Sequence, residues 1–261
     1  LHECPLIVAP REGAGDAEAQ RASVLEKYGG EILLLDFMGK GMSSGRVKAE
    51  LLLGMDCDEV PEAVLGEIKR RGLFRDYADD VEKLKGMQTE ELFEHSVAAV
   101  MRAVDLNSRH NLKQDFRKVF LAALLHDNAK QRPSLDGLDV PPDSVGTPVL
   151  HQFLGAEKAR RDFGVTDEEV LSAIRFHTTA KADMTVLEKL IYTADSTSYD
   201  RDYDPIPALR AEVDEDFERG FRALLAYTYR KLRGKGGAIY PLTMEAVRFY
   251  LPGLAEESGA E

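Results

Sequence analysis

Apolar positions follow two different rules along this chain. Near its start they form unbroken runs, Leu6-Ile7-Val8-Ala9 and Ile32-Leu33-Leu34-Leu35, each of strand length and bounded by Gly or Pro. Asp16 to Tyr28 lies between them, polar and of helical character, so the order strand, helix, strand predicts two buried parallel strands. From Leu92 onward the apolar residues recur at helical spacing. They predict helices over 92–107, 114–128, 149–163, 167–177, 184–197, 207–232 and 241–250. Local punctuation agrees, since Thr166-Asp-Glu-Glu169 reads as a capping box and Gly164 falls just past the helix before it. Leu209, Val213, Phe217, Phe221, Leu224 and Leu225 share one face of 207–232, which reads as one long packing helix, with partner binding as the alternative. The charged stretch 76–91 carries the junction. Pro133 to Pro148 breaks helicity for about fifteen residues, a length often found at an active-site rim. The fold class that follows is mainly α: a small α/β region over 1–80, then an all-helical domain over 90–251.

Length and charge narrow the partners. At 261 residues the chain can hold two modest domains, each with its own core. Its 46 acidic against 34 basic residues give a formal charge of −12, which repels nucleic acid and anionic membranes on average. A local cationic or metal-lined pocket can still take a small phosphate ligand, so the expected partner is a small molecule, with no nucleic acid and no membrane; a homodimer is left open. Cys4 and Cys57 stand far apart without a CxxC, which suits a reducing cytoplasm and gives no disulfide framework. Nothing resembles a signal peptide or an apolar run of membrane-spanning length.

The candidate chemistry starts at Leu121-Ala-Ala-Leu-Leu-His126-Asp127-Asn-Ala-Lys130, an apolar helical run that ends in adjacent imidazole and carboxylate. His95, His151, His177 and Asp195 each lie within a comparable apolar stretch. Singly, each reads as a satisfied core or cap residue. Jointly, five helices would each place an expensive polar group on a buried face for unrelated reasons, and a metal centre explains them together. Imidazoles and carboxylates are the ligand set of borderline divalent ions, and one carboxylate can bridge a pair of them. His110 and His2 lack that setting and read as surface residues. Near the start, Gly39-Lys-Gly-Met-Ser43-Ser44-Gly45-Arg46 before a helical run places hydroxyls and N–H groups where a phosphate could bind; ordinary N-capping gives the same pattern.

His95, the His126-Asp127 pair and Asp195, in that order, resemble the H…HD…D signature of the HD phosphohydrolase superfamily. His151 and His177, with the flanking Glu94-His95-Ser96, His177-Thr178-Thr179, Ala194-Asp195 and Arg201, resemble its YqeK group over about residues 90 to 230. That resemblance implies an all-helical HD fold and an enzyme that splits diadenosine tetraphosphate symmetrically into two ADP. Two divalent metals are implied with it, iron by the family, with manganese or another transition metal as the alternative. Carried over, His95, His126, Asp127 and Asp195 would hold one metal and His151 and His177 the other, with Asp127 bridging. Attack of a metal-bound hydroxide on a central phosphorus would follow, with Asp127 and Lys130 as the catalytic residues. Lys130, Thr178 and Arg201 would contact substrate; their plainer readings are a solvated lysine, a helix-end hydroxyl and an arginine neutralised within Asp200-Arg201-Asp202. Ala180 replaces the family's Gly, and Ser198-Tyr199 its Glu-Pro, departures that bear on nucleotide specificity more than on metal binding.

A second resemblance covers the N-terminal region. Leu6 to Arg11, the Ile32 to Asp36 strand, Met42-Ser43-Ser44-Gly45-Arg46-Val47-Lys48 and Val60 to Phe74 resemble the C-terminal half of a bacterial nicotinate-nucleotide adenylyltransferase, a Rossmann-like nucleotidyltransferase. No H-x-G-H motif occurs in the chain, so adenylyl transfer is not expected. The rivals to the tetraphosphatase reading are an HD phosphatase or phosphodiesterase on another nucleotide, and a nucleotide sensor that binds without turnover.

Overall fold

Short apolar runs at the start and helical periodicity afterwards give two separately packed units. The computed structural model describes residues 4–10, 15–36, 43–131, 133–135 and 137–258. It divides into Leu1–Ser44 and Gly45–Glu261.

In the first unit β1 (Leu6–Val8) and β2 (Ile32–Leu34) pair in parallel, Leu6 with Ile32 and Val8 with Leu34, across α1 (Ala17–Tyr28). Asp16 caps α1 by accepting from the N–H groups of Glu18 and Ala19, as a short acidic side chain does at a helix start. The expectation of buried strands is met only at Ile32, 3% exposed, among the described strand residues. Leu6 is 44% exposed, Ile7 62% and Leu33 46%, because a two-stranded ribbon with one helix cannot cover both of its faces. His2, Arg11 and Gly39–Met42 of the hydroxyl-rich segment lie outside the described residues. Ser44 opens a helix.

The α and β elements of the second unit, among its described residues, are all helices: α2 (Ser44–Leu52), α3 (Glu62–Arg71), α4 (Ala78–Met87), α5 (Glu90–Arg109), α6 (Phe116–Leu125), α7 (Leu150–Phe163), α8 (Glu168–Phe176), α9 (Val186–Ser196), α10 (Ile206–Glu215), α11 (Phe217–Gly234), α12 (Pro241–Tyr250) and α13 (Pro252–Ser258). Six of the ten residues of α6 are buried, Val119, Phe120, Ala122, Ala123, Leu124 and Leu125, so this helix lies in the centre, packed on α5, α8 and α9. The charged stretch read as a junction folds as α4 and sends Val81 and Leu84 into that same core, together with Ala49 and Leu52 of α2.

Several boundaries move, each for a local reason. α8 is capped by Asp167 rather than Thr166, whose neighbour offers a carboxylate to the N–H groups of Glu169 and Val170. The reciprocal capping box stands instead at Thr185 and Glu188, opening α9. Gly164 ends α7 with φ at 66°, as read. The segment 207–232 is two helices. Asp216, extended at φ −146°, caps α11 through the Arg219 N–H, and α10 folds back along α11 with Gly220 against Val213. A Cβ on Gly220 would stand 2.4 Å from the Val213 Cα, so only glycine allows that approach. His110 is half-buried beside Phe217, their rings 5.8 Å apart, and is no surface residue. In the Pro-rich segment Leu138 and Val140 pack on Ala129, Leu150 and Leu154, tying it to the start of α7.

Candidate metal centre

Each imidazole of the predicted set is held by one ring nitrogen so that the other faces inward. α6 ends at Leu125, and His126 turns its Nδ1 back to the carbonyl of Ala123 at 2.7 Å. His177 does the same beyond α8 with Ile174 O at 2.7 Å, and His151, in the first turn of α7, with Pro148 O at 2.7 Å. Only an N–H can face a carbonyl oxygen at that distance, so Nδ1 donates and Nε2 is the nitrogen turned to the centre. His95 sits inside α5, where backbone carbonyls are taken by the helix itself; its Nδ1 lies 2.8 Å from Asp200 Oδ2.

The four Nε2 atoms converge on Asp127. His95 and His126 approach to 3.3 Å through these nitrogens, as do His151 and His177. Asp127, wholly buried, turns Oδ2 toward the first pair, 3.4 Å from His126 and 3.8 Å from His95, and Oδ1 toward the second, 3.3 Å from His177 and 3.4 Å from His151. Asp195 Oδ1 joins the first group, 3.0 Å from His95 Nε2 and 3.7 Å from His126 Nε2. All six residues singled out in the sequence are thus brought together, from five helices or their ends.

This arrangement fits cations. Asp127 Oδ1 is buried and accepts no hydrogen bond, although the Nε2 atoms of His151 and His177 lie 3.4 and 3.3 Å from it. Lone pairs packed on a carboxylate oxygen repel unless a positive charge lies among them. His95, His126 and Asp195 can converge on one ion, and His126, Asp127 and His177 on another. Nitrogen and carboxylate donors of this kind make a divalent-metal site.

The protein's own charges are strongly displaced here. Burial alone would keep His126 neutral, but Asp127 and Asp195 outweigh it and raise its pKa to about 10. Burial would raise Asp127, yet the neighbouring His126 and His177 hold it well below the carboxylate range; Arg201 and the histidines do the same for buried Asp195. His151 goes the other way, pushed by burial and His177 down to about 4. His126 therefore holds its charge and His151 stays neutral.

Two cations stand at the mouth. Lys130 Nζ lies 2.6 Å from Asp127 Oδ2, and Arg201 donates to Asp195 Oδ1 at 2.7 Å rather than to its sequence neighbours Asp200 and Asp202. With Thr89, Glu91, Leu92, His95, Gln131 and Asp200 they line a cleft of about 390 Å³. Thr178 is turned inward, its hydroxyl 3.0 Å from His151 Nε2 and 2.9 Å from His177 Nε2.

Several supporting residues were not legible. Gln152, buried on α7, accepts from the N–H groups of both Thr178 and Thr179 at 3.1 Å. Asn128 bridges the carbonyls of Leu125 and Gly155, each at 2.9 Å, which fixes the end of α6 on α7. Arg210 of α10 donates to the carbonyls of Thr197, Ser198 and Arg201, and buried Arg102 of α5 to Thr197 Oγ1 and Asp214. Their signal in sequence was a polar residue on an apolar face, as for the histidines, but without a motif to group them.

Known proteins resemble the chain in sequence and fold. Residues 92–200 match the HD domain model. A symmetrical bis(5′-nucleosyl)-tetraphosphatase of Halalkalibacterium halodurans is 32% identical over 164 residues, 60% of this chain and 87% of that protein. A probable nicotinate-nucleotide adenylyltransferase/Ap4A hydrolase of Mycoplasma genitalium is 28% identical over 148 residues, 54% of this chain and 40% of that protein. Among solved structures, a predicted HD superfamily hydrolase involved in NAD metabolism from Clostridium acetobutylicum superposes with a TM-score of 0.62 at 29% identity, covering 68% of this chain and 98% of its own. No helix among the described residues is long and apolar enough to cross a membrane. With histidines and aspartates of the HD signature gathered on one buried carboxylate, and a relative matched over nearly all its length, this chain belongs to the HD-domain family of symmetrical bis(5′-nucleosyl)-tetraphosphatases.

Proposed function

We propose that this chain is a metal-dependent hydrolase that cleaves diadenosine tetraphosphate symmetrically into two ADP. The observation that carries the reading is Asp127, whose two carboxylate oxygens each face a separate pair of imidazoles. His95, His126, Asp127 and Asp195 would hold one divalent ion and His151, His177 and the same Asp127 a second. Iron is the metal the YqeK resemblance implies; the donors alone would also suit manganese. Such a pair, when bound, neutralises phosphate oxygens as a Lewis acid and lowers the pKa of water.

The chain's own residues do the rest. Asp127 and Asp195 set the charge of the centre, and the buried imidazoles exclude bulk water from it, which strengthens every local electrostatic interaction. Lys130 and Arg201 are tethered at the cleft by one carboxylate contact each, leaving further N–H donors for the oxygens of a polyphosphate. They place two cations at the lip, beside Glu91 and Asp200, on a chain of net charge −12. Thr178, fixed through its N–H by Gln152, can turn its hydroxyl to a phosphate oxygen. The relative with an adenylyltransferase joined to its hydrolase supports reading residues 1–80 as a partial nicotinate-nucleotide adenylyltransferase-like region and 90–251 as the HD domain that does the hydrolysis. Free Cys4 and buried Cys57, whose thiol donates to Glu50, suit a cytoplasmic setting.

Anaerobically purified protein with its metal quantified, incubated with diadenosine tetraphosphate, should yield ADP as sole product, and Asp127→Ala should abolish the reaction. Release of inorganic phosphate would assign a different HD phosphatase chemistry, and tight binding without turnover a sensor.

A further inference from the structure

Four imidazoles face this centre, and three are oriented by a neutral acceptor three residues back in their own chain: Ala123 O, Pro148 O and Ile174 O. His95 alone is not. It lies within α5, and the nearby Leu92 carbonyl already accepts from the Ser96 hydroxyl at 3.1 Å as well as serving the helix. Its Nδ1 is met instead by a carboxylate, Asp200 Oδ2 at 2.8 Å, carried on the loop after α9. Asp200 sits at the edge of the cleft between this ring and Arg201, with its side chain 37% exposed, and that Arg201 is engaged by Asp195 rather than by Asp200. The loop is in turn fixed by Arg210 on the carbonyls of Thr197, Ser198 and Arg201.

We propose that Asp200 is the positioning residue of His95, fixing its tautomer and aiming Nε2 at Asp127 and Asp195, so that it governs one of the two metal positions and not the other. The inference rests on the two-metal reading above. A carboxylate partner makes an imidazole a stronger donor than a carbonyl does. Asp200 thereby makes His95 the stronger donor, with Ser198 Oγ a more distant neighbour of the same Nδ1 at 3.5 Å.

The test is Mn²⁺ titration of metal-free protein, with free ion read by electron paramagnetic resonance. Wild type should bind two ions per chain. Asp200→Ala should bind one as wild type does and the other about 10- to 100-fold more weakly, the range for loss of such a partner. Asp200→Asn, which keeps an acceptor without the charge, should restore part of that loss, and Asp202→Ala, an exposed neighbour on the same loop, should change nothing. Circular dichroism establishes that the variants fold; if Asp200→Ala does not, Asp200→Asn decides, with weakening of one ion expected. Two ions bound with wild-type affinity in the readable Asp200 variant would overturn the positioning role and leave the metal centre standing. Fewer than two ions in wild type would overturn the two-metal reading and this proposal with it.

Discussion

His126 and Asp127 are neighbours with opposite burial penalties, and each relieves the other's. In metal-free protein the His126 proton persists to a pH of about 10 because Asp127 and Asp195 face it. A raised folded-state value means that this proton stabilises the metal-free fold fully below the ring's ordinary pKa of about 6.5 and progressively less as pH climbs toward 10. His151, with its value lowered to about 4, contributes the opposite trend: stability is lost as pH falls from about 6.5 toward 4. Metal must expel the His126 proton, so loading at neutral pH should release protons and apparent affinity should rise between about pH 6 and 9. Calorimetry in buffers of different ionisation enthalpy measures both; loading without proton release would contradict the charged His126. Lys130→Ala should keep both metals and lower kcat/KM about 10- to 100-fold, the equivalent of one charge-assisted hydrogen bond of roughly 1.5–3 kcal/mol. The six candidate ligands were legible because a titratable group in an apolar helical run stands out. Their orienting partners were not, since a carbonyl acceptor has no residue signature and Asp200 meets His95 across 105 positions of sequence.

Among the elements, α10 decides more than its surface position suggests. Its Arg210 holds the turn that follows Asp195 and carries Asp200 and Arg201, while its Val213 leans on Gly220 of α11. Gly220→Ala should force α10 away from α11 and destabilise the protein by about 1–3 kcal/mol, or roughly 2–4 °C in melting temperature per kcal/mol for a unit of this size. Thermal melts with metal-loaded protein measure it; an unchanged midpoint would mean the helices part without strain. Arg210→Ala should leave three carbonyls without that donor and weaken substrate turnover while the core stays folded, as seen by kinetics beside far-ultraviolet circular dichroism. Reading 207–232 as one helix was a failure of periodicity. The apolar stripe passes through Asp216 without a break, and only the cap that its carboxylate makes on Arg219 divides it. The same rule hid Asp167 behind Thr166, because either residue could cap and geometry chooses.

For the whole molecule, the main core draws its buried side chains from Ala49 to Val247, and the metal centre lies wholly within that range. A chain shortened by residues 1–44 should therefore keep its metal content and its melting midpoint, as measured by metal analysis and scanning calorimetry. Loss of either would show that the N-terminal unit supports the fold of the second. Mainly helical architecture was readable because the periodic stretches were long. Packing of α2 and α4 with the helical core was not, since charged sequence such as 76–91 conceals two inward residues, Val81 and Leu84. The histidine tethers have a consequence for how such a protein drifts over generations. Three of the centre's four imidazoles are aimed by main-chain oxygens, which every residue type supplies, so single substitutions at Ala123, Pro148 or Ile174 leave the acceptor in place. The inheritance of the centre is thereby concentrated in few codons: the ligands themselves, and the one loop position that aims His95.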